Sequence, residues 1–325
     1  TLRVFVSGDA RQSMSALYPA VISGLETAGC IVTWGGAIPT PVNYFAFHEG
    51  DFDLSIQISA SHNPAPDNGL KMTDRNGAIC GDEIQAIKHI VADSQKTIFG
   101  TPGRCENNCE TVSFQESYTL KLLSLHELEY KKHLVIDAGN AIPGVLYPSI
   151  YRKFNQQVTE IHTALDTTFP NHQPDPERPE NLENLIQVVQ EQKADYGFAF
   201  DGDGDRVGIV NAKGSIYSAD KILYVLAADH LSRHPEASIV VDAMSSDLLH
   251  EKIKKLGGKV IISKTGHSFI EEGISPIGTN YFDGAYIADI HKKFGTMKMN
   301  TYPNMTFFSF LKWIIVYRQK FIRPL

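Results

Sequence analysis

The stretch LRVFVSGDA (residues 2–10) is a short apolar run that ends in an aspartate among small residues. The same plan returns in KHLVIDAGNA (132–141) and in ASIVVDAMSS (237–246). Each copy is followed by a run with apolar positions three and four apart, and then by a second apolar strand. This order predicts βαβ units, in which helices cover parallel strands. We therefore predict three consecutive, related α/β domains with mixed, mostly parallel sheets.

The three copies begin at residues 2, 132 and 237, too far apart for the short period of a solenoid. They are therefore expected to form separate domains. The expected limits are 1–103, 104–212 and 213–285, with an atypical tail at 286–325. The aspartates that end the three strands, Asp9, Asp137 and Asp242, have a simple alternative reading as helix caps or turn residues.

Composition narrows the class of protein. The chain has 325 residues, 42% hydrophobic and 21% charged, with a net charge of -7. This is an ordinary globular composition, and an acidic balance argues against a nucleic-acid partner, which would require a basic face. Four cysteines are too few for a disulfide-built secreted domain, so we expect a cytoplasmic protein. The apolar stretch at 307–317 is short and contains Lys312, so no membrane association is expected.

The segment QISASHNPAPDNGLKM (57–72) contains a candidate nucleophile. Alternating apolar and polar residues over 54–59 predict a half-buried strand, and the turn at Asn63 and Pro64 puts Ser61 at its tip. Ligands usually bind at strand tips in α/β sheets. The alternative, that Ser61, His62 and Asn63 only hydrogen-bond a turn, stays open.

A second loop carries an acidic cluster between two apolar strands, in which aspartates alternate with glycines: Asp201, Asp203 and Asp205. Carboxylates so close repel one another unless a cation lies among them, and hard oxygen ligands suit Mg²⁺. An EF-hand is excluded because Arg206 stands where that loop needs glycine and Ala212 where it needs glutamate. A metal-free acidic hairpin turn is the remaining structural alternative.

Magnesium held by aspartates keeps open positions and prefers phosphate oxygens. Arg206, beside the acidic cluster, is a fork-shaped donor for phosphate or sugar hydroxyls. A serine at a strand tip together with a phosphate-binding metal suggests phosphoryl transfer through a phosphoserine.

With these two loops, the chain resembles the α-D-phosphohexomutases, in particular the bacterial phosphomannomutase/phosphoglucomutase branch. The resemblance rests on these segments, in the family's order: PTPVNYFA (39–46), SASHNP (59–64), AGNAIPG (138–144), FPNHQPDPERPENL (169–182), DGDGDR (201–206) and SKTGHSFI (263–270). It covers residues 1 to about 272, and serine replaces the family's leading threonine in the second segment.

The resemblance implies roles for individual residues. Ser61 would carry the phosphate and share one Mg²⁺ with the three aspartates, and Lys71 would be the general acid/base. His62 and Asn63 would support the serine loop and proton transfer. The residues implied in substrate binding are Arg206, Lys264, Gly266, His267 and Arg11. Without the resemblance, a solvated lysine would be the better interpretation of Lys71. Arg11 could equally be a surface charge, and His267 a structural histidine.

The implied reaction interconverts the 1- and 6-phosphates of mannose or glucose through a bisphosphorylated sugar. The segments that the family places after the sugar loop, G-E-x-S-G-H and R-x-S-G-T, do not occur here. The sequence therefore predicts a mutase without the fourth domain, impaired by truncation or a frameshift. The alternatives are an inactive remnant, a non-catalytic protein that binds metal or sugar phosphate, and a phosphoserine hydrolase. The oligomeric state stays open.

Overall fold

The computed structural model describes residues 1–75, 77–94, 109–125 and 130–265. The strands are β1 (Arg3–Gly8), β2 (Ile31–Ala37), β3 (Leu54–Ile58), β4 (Leu70–Asp74), β5 (Gly77–Ala78), β6 (Glu110–Thr111), β7 (His133–Asp137), β8 (Gln157–Ile161), β9 (Tyr196–Phe200), β10 (Val207–Asn211), β11 (Ile216–Tyr217), β12 (Ser238–Asp242) and β13 (Lys259–Ser263). The helices are α1 (Met14–Thr27), α2 (Thr40–Glu49), α3 (Asp82–Ser94), α4 (Gln115–Leu125), α5 (Pro143–Lys153), α6 (Glu183–Glu191), α7 (Ala219–Arg233) and α8 (Asp247–Lys255), with a 3-10 turn at Pro179–Leu182.

The first sheet has six strands in the order β5-β4-β3-β1-β2-β6. Its centre is parallel, since β1 pairs with both β2 and β3 in the same direction, whereas β4 and β5 run antiparallel at one edge. The β1–α1–β2 unit predicted from the sequence is confirmed.

The second sheet repeats this plan in the order β11-β10-β9-β7-β8. Here β7 pairs in parallel with β8 and β9, and β10 turns back antiparallel to β9. Five strands of the first sheet therefore have counterparts in the second, and β6 has none. The loop that carries Ser61 joins β3 to β4, and the acidic loop joins the equivalent strands β9 and β10.

The third repeat contributes the parallel pair β12 and β13, with α7 and α8 packed against each other. The prediction of three βαβ units in mixed, mostly parallel sheets is thus confirmed. Strand β6 adds to the first sheet beyond the expected limit at residue 103, and β11 adds to the second beyond residue 212. The tail at 286–325 lies outside the described residues.

One continuous apolar cluster joins the first two domains. It contains Phe5 and Phe45 from the first domain, Tyr118 and Leu122 from α4, and Tyr147 from α5. Helix α2 is central to it, because every residue from Thr40 to Phe47 is buried. Burial on this scale fixes the two sheets relative to each other. The loop that carries Ser61 and the acidic loop are therefore held in fixed relative positions.

The prediction that β3 is half-buried is wrong, because its polar side chains are buried as well. Ser55, Gln57 and Ser59 are each no more than 3% exposed. Ser55 Oγ donates to Asn43 Oδ1, and Gln57 Nε2 donates to the carbonyl of Ile38 at 3.0 Å. Asn43 of α2, the segment just before that helix, and the β1 segment satisfy these polar groups, so alternation did not mark a solvent-facing side.

Candidate active site

The loop that carries Ser61 and the acidic loop meet between the first two domains. Ser61 Oγ donates to Asp201 Oδ2 at 2.7 Å, across a separation of 140 residues in the chain. Ser61 is 8% exposed, and Asp201 is fully buried. The serine and the acids are therefore parts of one site.

Ser61 has an unusual backbone conformation, with φ at +53°. Its amide donates to Ser59 Oγ at 2.8 Å, and Ser59 Oγ in turn donates to Asp9 Oδ2 at 2.8 Å. Left-handed conformations cost a non-glycine residue about 1 kcal/mol or more, and they persist where surrounding contacts over-determine them. Asp9, at the buried end of β1, thus fixes the backbone of Ser61 through Ser59.

Arg11 was expected to bind substrate, but its guanidinium is used entirely within the chain. Its Nε donates to Asp9 Oδ2 at 3.0 Å. The other donors reach four carbonyl oxygens, at 2.7 Å for Ser61, 2.9 Å for Asn63, 2.7 Å for Pro64 and 3.1 Å for Asp67. An arginine has five N–H donors, so none is left for a ligand. Arg11 clamps the serine loop from behind.

The acidic loop is a tight hairpin organised around Asp201. Asp201 Oδ1 accepts from the amides of Asp205 and Arg206, at 3.0 Å each. Gly204 has φ at +74°, and its carbonyl accepts from Tyr147 Oη at 2.6 Å. The three aspartates are at most 2% exposed, which a solvated acidic turn would not be.

Electrostatics makes this cluster costly without a cation. Burial raises the pKa of Asp201 well above its usual range, and the carboxylates of Asp203 and Asp205 raise it further. Lys71 and Arg206 act in the opposite direction. Lys71 Nζ contacts Asp203 Oδ2 and lies 2.9 Å from Asp205 Oδ2. One ammonium therefore faces two of the three buried acids.

The donor set fits a hard divalent cation. The oxygens of Asp201, Asp203 and Asp205 lie within 4.8 Å of one another. Within the described part of the chain, the buried Oδ1 of Asp203 has no hydrogen-bond partner. Buried anionic oxygen without a donor is what a cation of the magnesium or calcium type would satisfy.

The proline-rich segment of the second domain (169–182) contacts the serine loop through Gln173. Gln173 Nε2 donates to the carbonyl of His62 at 2.7 Å. His62 Nδ1 lies 3.4 Å from Ser61 Oγ. Burial lowers the pKa of His62, and the nearby charge of Arg206 lowers it further. A neutral ring beside the serine can accept a proton at neutral pH. Asn63 joins the loop to Arg11 through its carbonyl.

Arg206 lies at the mouth of the site. Its Nη1 is 3.1 Å from Glu177 Oε1, and its Nε is 3.8 Å from Asp201 Oδ2. The side chain is 26% exposed, and that of Glu177 is 72% exposed. Exposed ion pairs of this kind contribute about 0–1 kcal/mol, so a phosphate can exchange for Glu177 at little cost.

Of the other residues predicted to bind substrate, Lys264 lies in the described part of the chain. Lys264 follows β13 and is exposed. Gly266 and His267 lie outside the described residues.

Thr40 and Gln173 have no role predicted from the sequence, although both lie in segments that carry the family resemblance. Thr40 donates through Oγ1 to Asp203 Oδ2, and its amide donates to the Asp203 carbonyl at 2.9 Å.

The fold and the site define a class: α/β/α domains whose equivalent loops bring a serine hydroxyl against a buried carboxylate cluster. Three family models match in succession, namely phosphoglucomutase/phosphomannomutase α/β/α domain I over residues 1–97, domain II over 114–214 and domain III over 218–281. The chain belongs to the phosphoglucomutase/phosphomannomutase family.

Individual relatives agree with this assignment. The chain is 36% identical over 277 residues to a phosphomannomutase/phosphoglucomutase of Pseudomonas putida, covering 85% of this chain and 58% of the relative. It is 35% identical over 269 residues to a phosphoglucomutase of Neisseria meningitidis, covering 83% and 58%. A crystal structure of a family protein from Burkholderia thailandensis superposes with a TM-score of 0.77 at 34% identity, covering 84% and 60%. The chain thus spans under two thirds of the length of these relatives.

No helix in the described ranges is long and apolar enough to cross a membrane.

Proposed function

We propose that the chain performs the phosphoryl-transfer chemistry of a hexose phosphate mutase, with Ser61 as the residue that carries the phosphate. The observation that supports this most directly is the 2.7 Å hydrogen bond from Ser61 Oγ to Asp201. A serine hydroxyl is a weak nucleophile unless its surroundings take up the charge of the transferring group. The buried acidic loop, with a cation among its carboxylates, supplies such surroundings.

Transfer to the sugar breaks the bond between Ser61 Oγ and phosphorus and forms a bond from phosphorus to a sugar hydroxyl oxygen. The hydroxyl loses its proton, and the serine oxygen regains one. Lys71 is the proposed group for this proton exchange, because its ammonium contacts Asp203 and Asp205 of the acidic loop that meets the serine. His62 is proposed to assist, since its ring nitrogen is 3.4 Å from Ser61 Oγ.

Asp201, Asp203 and Asp205 are proposed to hold Mg²⁺ together with an oxygen of phosphorylated Ser61. When bound, this ion neutralises charge on the transferring phosphoryl group. Arg206 is proposed to bind the incoming phosphate. Substrate contacts by Lys264, Gly266 and His267 are carried over from the family resemblance, and mannose and glucose phosphates are the proposed substrates.

The half-reaction tests this proposal, because it depends on residues that the structure describes. The chain is incubated with glucose 1,6-bisphosphate and Mg²⁺, and its intact mass is measured alongside the released hexose monophosphate. We expect wild type to gain one phosphate and Ser61→Ala to gain none. Ser124→Ala, which removes an exposed hydroxyl from α4, is the matched control and should label like wild type.

Two results would contradict the proposal: no phosphate on the wild-type chain, or equal labelling of Ser61→Ala. Interconversion of hexose 1- and 6-phosphates is then measured on the labelled protein. Transfer of the label to sugar supports a mutase, whereas transfer only to water would replace it with a phosphoserine hydrolase.

A further inference from the structure

A second ionic cluster, partly buried, lies at the end of β7, where Asp137 pairs with His172, 35 residues further along the chain. His172 Nε2 is 3.1 and 3.0 Å from the two carboxylate oxygens of Asp137. His172 Nδ1 is 2.9 Å from the carbonyl oxygen of Gln173. The side chain of Asp137 is fully buried, and that of His172 is 13% exposed.

Both ring nitrogens of His172 therefore face oxygen acceptors. A neutral imidazole carries a single N–H, which would leave one nitrogen lone pair against an oxygen. The doubly protonated ring donates from both nitrogens and supplies the positive charge that a buried carboxylate requires. The geometry calls for an imidazolium.

The groups around the pair are consistent with this charge state. Among the described residues, the titratable groups that face His172 are Asp137 and His162, whose Nδ1 lies 3.3 Å from Asp137 Oδ1. Asp137 also accepts from the amide of Gly139 at 2.9 Å. Burial opposes the charged form of His172, but hydrogen bonding and attraction to Asp137 outweigh it, so the pKa of His172 is raised.

The residues that follow His172 reach the serine loop. Gln173 donates to the His62 carbonyl at 2.7 Å. Pro174 packs so closely on the second domain that a Cβ at Gly139 would lie 2.8 Å from its Cβ, and a Cβ at Gly202 would lie 3.5 Å from its Cγ. The segment 172–174 therefore sits between the strand end that holds it and both loops of the site.

The first domain has the same arrangement at the equivalent strand end. Asp9 follows β1 as Asp137 ends β7, and each accepts an amide two residues on. Asp9 pairs with the buried cation Arg11, which clamps the serine loop. Arg11 and His172 are thus basic side chains paired with equivalent strand-end aspartates, Arg11 being buried and His172 13% exposed.

We propose that His172 is a positioning residue: as an imidazolium held by Asp137, it fixes residues 172–174 against the serine loop and so sets Ser61 relative to Asp201. Loss of its proton releases the segment. The structural part of this inference is independent of the proposed function, whereas its kinetic consequence rests on it.

The first test is the protonation state. Nitrogen chemical shifts of His172 are measured by NMR at about pH 7.5, roughly one unit above the ordinary histidine pKa. We expect both ring nitrogens to be protonated. A neutral ring would overturn the proposal. So would stoichiometric zinc in the purified wild-type protein that is lost in His172→Gln, because Asp137, His162 and His172 would then be a metal centre.

The second test compares His172→Gln and Asp137→Asn with a matched control, His133→Gln. His133 lies at the opposite end of β7, where its ring contacts Thr159 Oγ1 at 2.9 Å. Hydrogen exchange of the amides at residues 59–69 is expected to quicken about tenfold or more in the first two variants and to stay unchanged in the control. Exchange in His172→Gln that matches the control would overturn the proposal.

The kinetic readout is Ser61 phosphorylation by glucose 1,6-bisphosphate. We expect the maximal rate to fall about tenfold or more in His172→Gln with little change in the sugar concentration at half-maximal rate. In wild type, the rate should fall as pH rises through the raised pKa of His172, and His172→Gln should lack this fall. An identical pH profile in both would overturn the proposal.

If a variant fails to fold, hydrogen exchange at residues 59–69 of the wild type is measured over a pH series and corrected for intrinsic exchange. Exchange that quickens at alkaline pH supports the proposal, and exchange that does not would overturn it. Absence of labelling in wild type would count against the proposed function alone, since protonation and exchange are measured without it.

Discussion

The carbonyl oxygen of Ser61 lies so close to Gly202 that a Cβ at that glycine would come within 2.4 Å of it. The contact is between two backbones from different domains, so neither side can turn aside as a flexible side chain would. The serine loop and the acidic loop can therefore approach this closely only because residue 202 is glycine.

Gly202→Ala should push the two loops apart while both sheets stay folded. We expect phosphorylation of Ser61 to fall about a hundredfold, because displacements of the order of 1 Å carry such penalties. Gly24→Ala is the control, because nothing lies within 4 Å of a Cβ at that residue. This substitution should stabilise helix α1 by up to about 1 kcal/mol. Labelling kinetics and circular dichroism measure the two effects. Undiminished labelling in Gly202→Ala would show that the close approach is dispensable.

Arg11→Lys should destabilise the first domain. Lysine has three donors where arginine uses five, so buried carbonyls of the serine loop lose partners. We expect a loss of about 3 kcal/mol in the free energy of unfolding, because a buried acceptor left without a donor costs about 1–3 kcal/mol. Arg75→Lys changes an exposed pair with Asp53 and should cost about 0.5 kcal/mol or less. Urea unfolding measures both, and equal effects would refute the clamp.

Much of this fold follows from local sequence patterns. Short apolar strands, amphipathic runs and strand-end aspartates predicted the three βαβ units, because parallel strands covered by helices are apolar on both faces and are separated by helices along the chain. The aspartates also behave as the turn residues that the simpler reading supposed: Asp9, Asp137 and Asp242 each accept the amide two residues later.

Other features depend on contacts between distant segments, which no local pattern encodes. Arg11 looked like a ligand-binding cation, but its five donors are taken by a loop some 50 residues away. The polar face of β3 looked solvent-facing, but α2 covers it. The pair of Asp137 and His172 joins a strand end to a proline-rich segment, so neither residue signals its partner by spacing.

The pair of Asp137 and His172 predicts a pH dependence of stability. The pKa of His172 is raised, so its contribution is complete below about pH 6.5 and is lost as pH rises through the raised value. For Asp137, burial opposes the charge, but hydrogen bonds from His162 and His172 outweigh it and lower the pKa. Its contribution is present above the ordinary value of 3.8 and is lost as pH falls through the lowered one.

Wild type should therefore exceed His172→Gln in free energy of unfolding by about 2 kcal/mol between about pH 4 and 6.5, typical of a hydrogen bond to a charged group. The difference should shrink at alkaline pH. Urea unfolding over a pH series measures it, with His133→Gln as control. A difference that stays constant into the alkaline range would show that charge is not involved.

Removal of divalent cation should lower thermal stability. Mg²⁺ at about a hundred times its dissociation constant stabilises the folded state by about 2.7 kcal/mol. We expect EDTA to lower the melting temperature of wild type and of Asp51→Asn, an exposed surface change. Asp203→Asn should respond little, because it replaces a buried carboxylate of the cluster. An equal response in Asp203→Asn would place the metal elsewhere.

The serine and the acidic loop are proposed to share one metal ion. Phosphorylated wild-type protein is prepared, Mn²⁺ is added at less than one equivalent, and the ³¹P resonance of the phosphoserine is recorded. Paramagnetic broadening of that resonance in wild type, absent in Asp203→Asn, is the predicted result. A resonance that stays sharp while Mn²⁺ is bound would contradict the account.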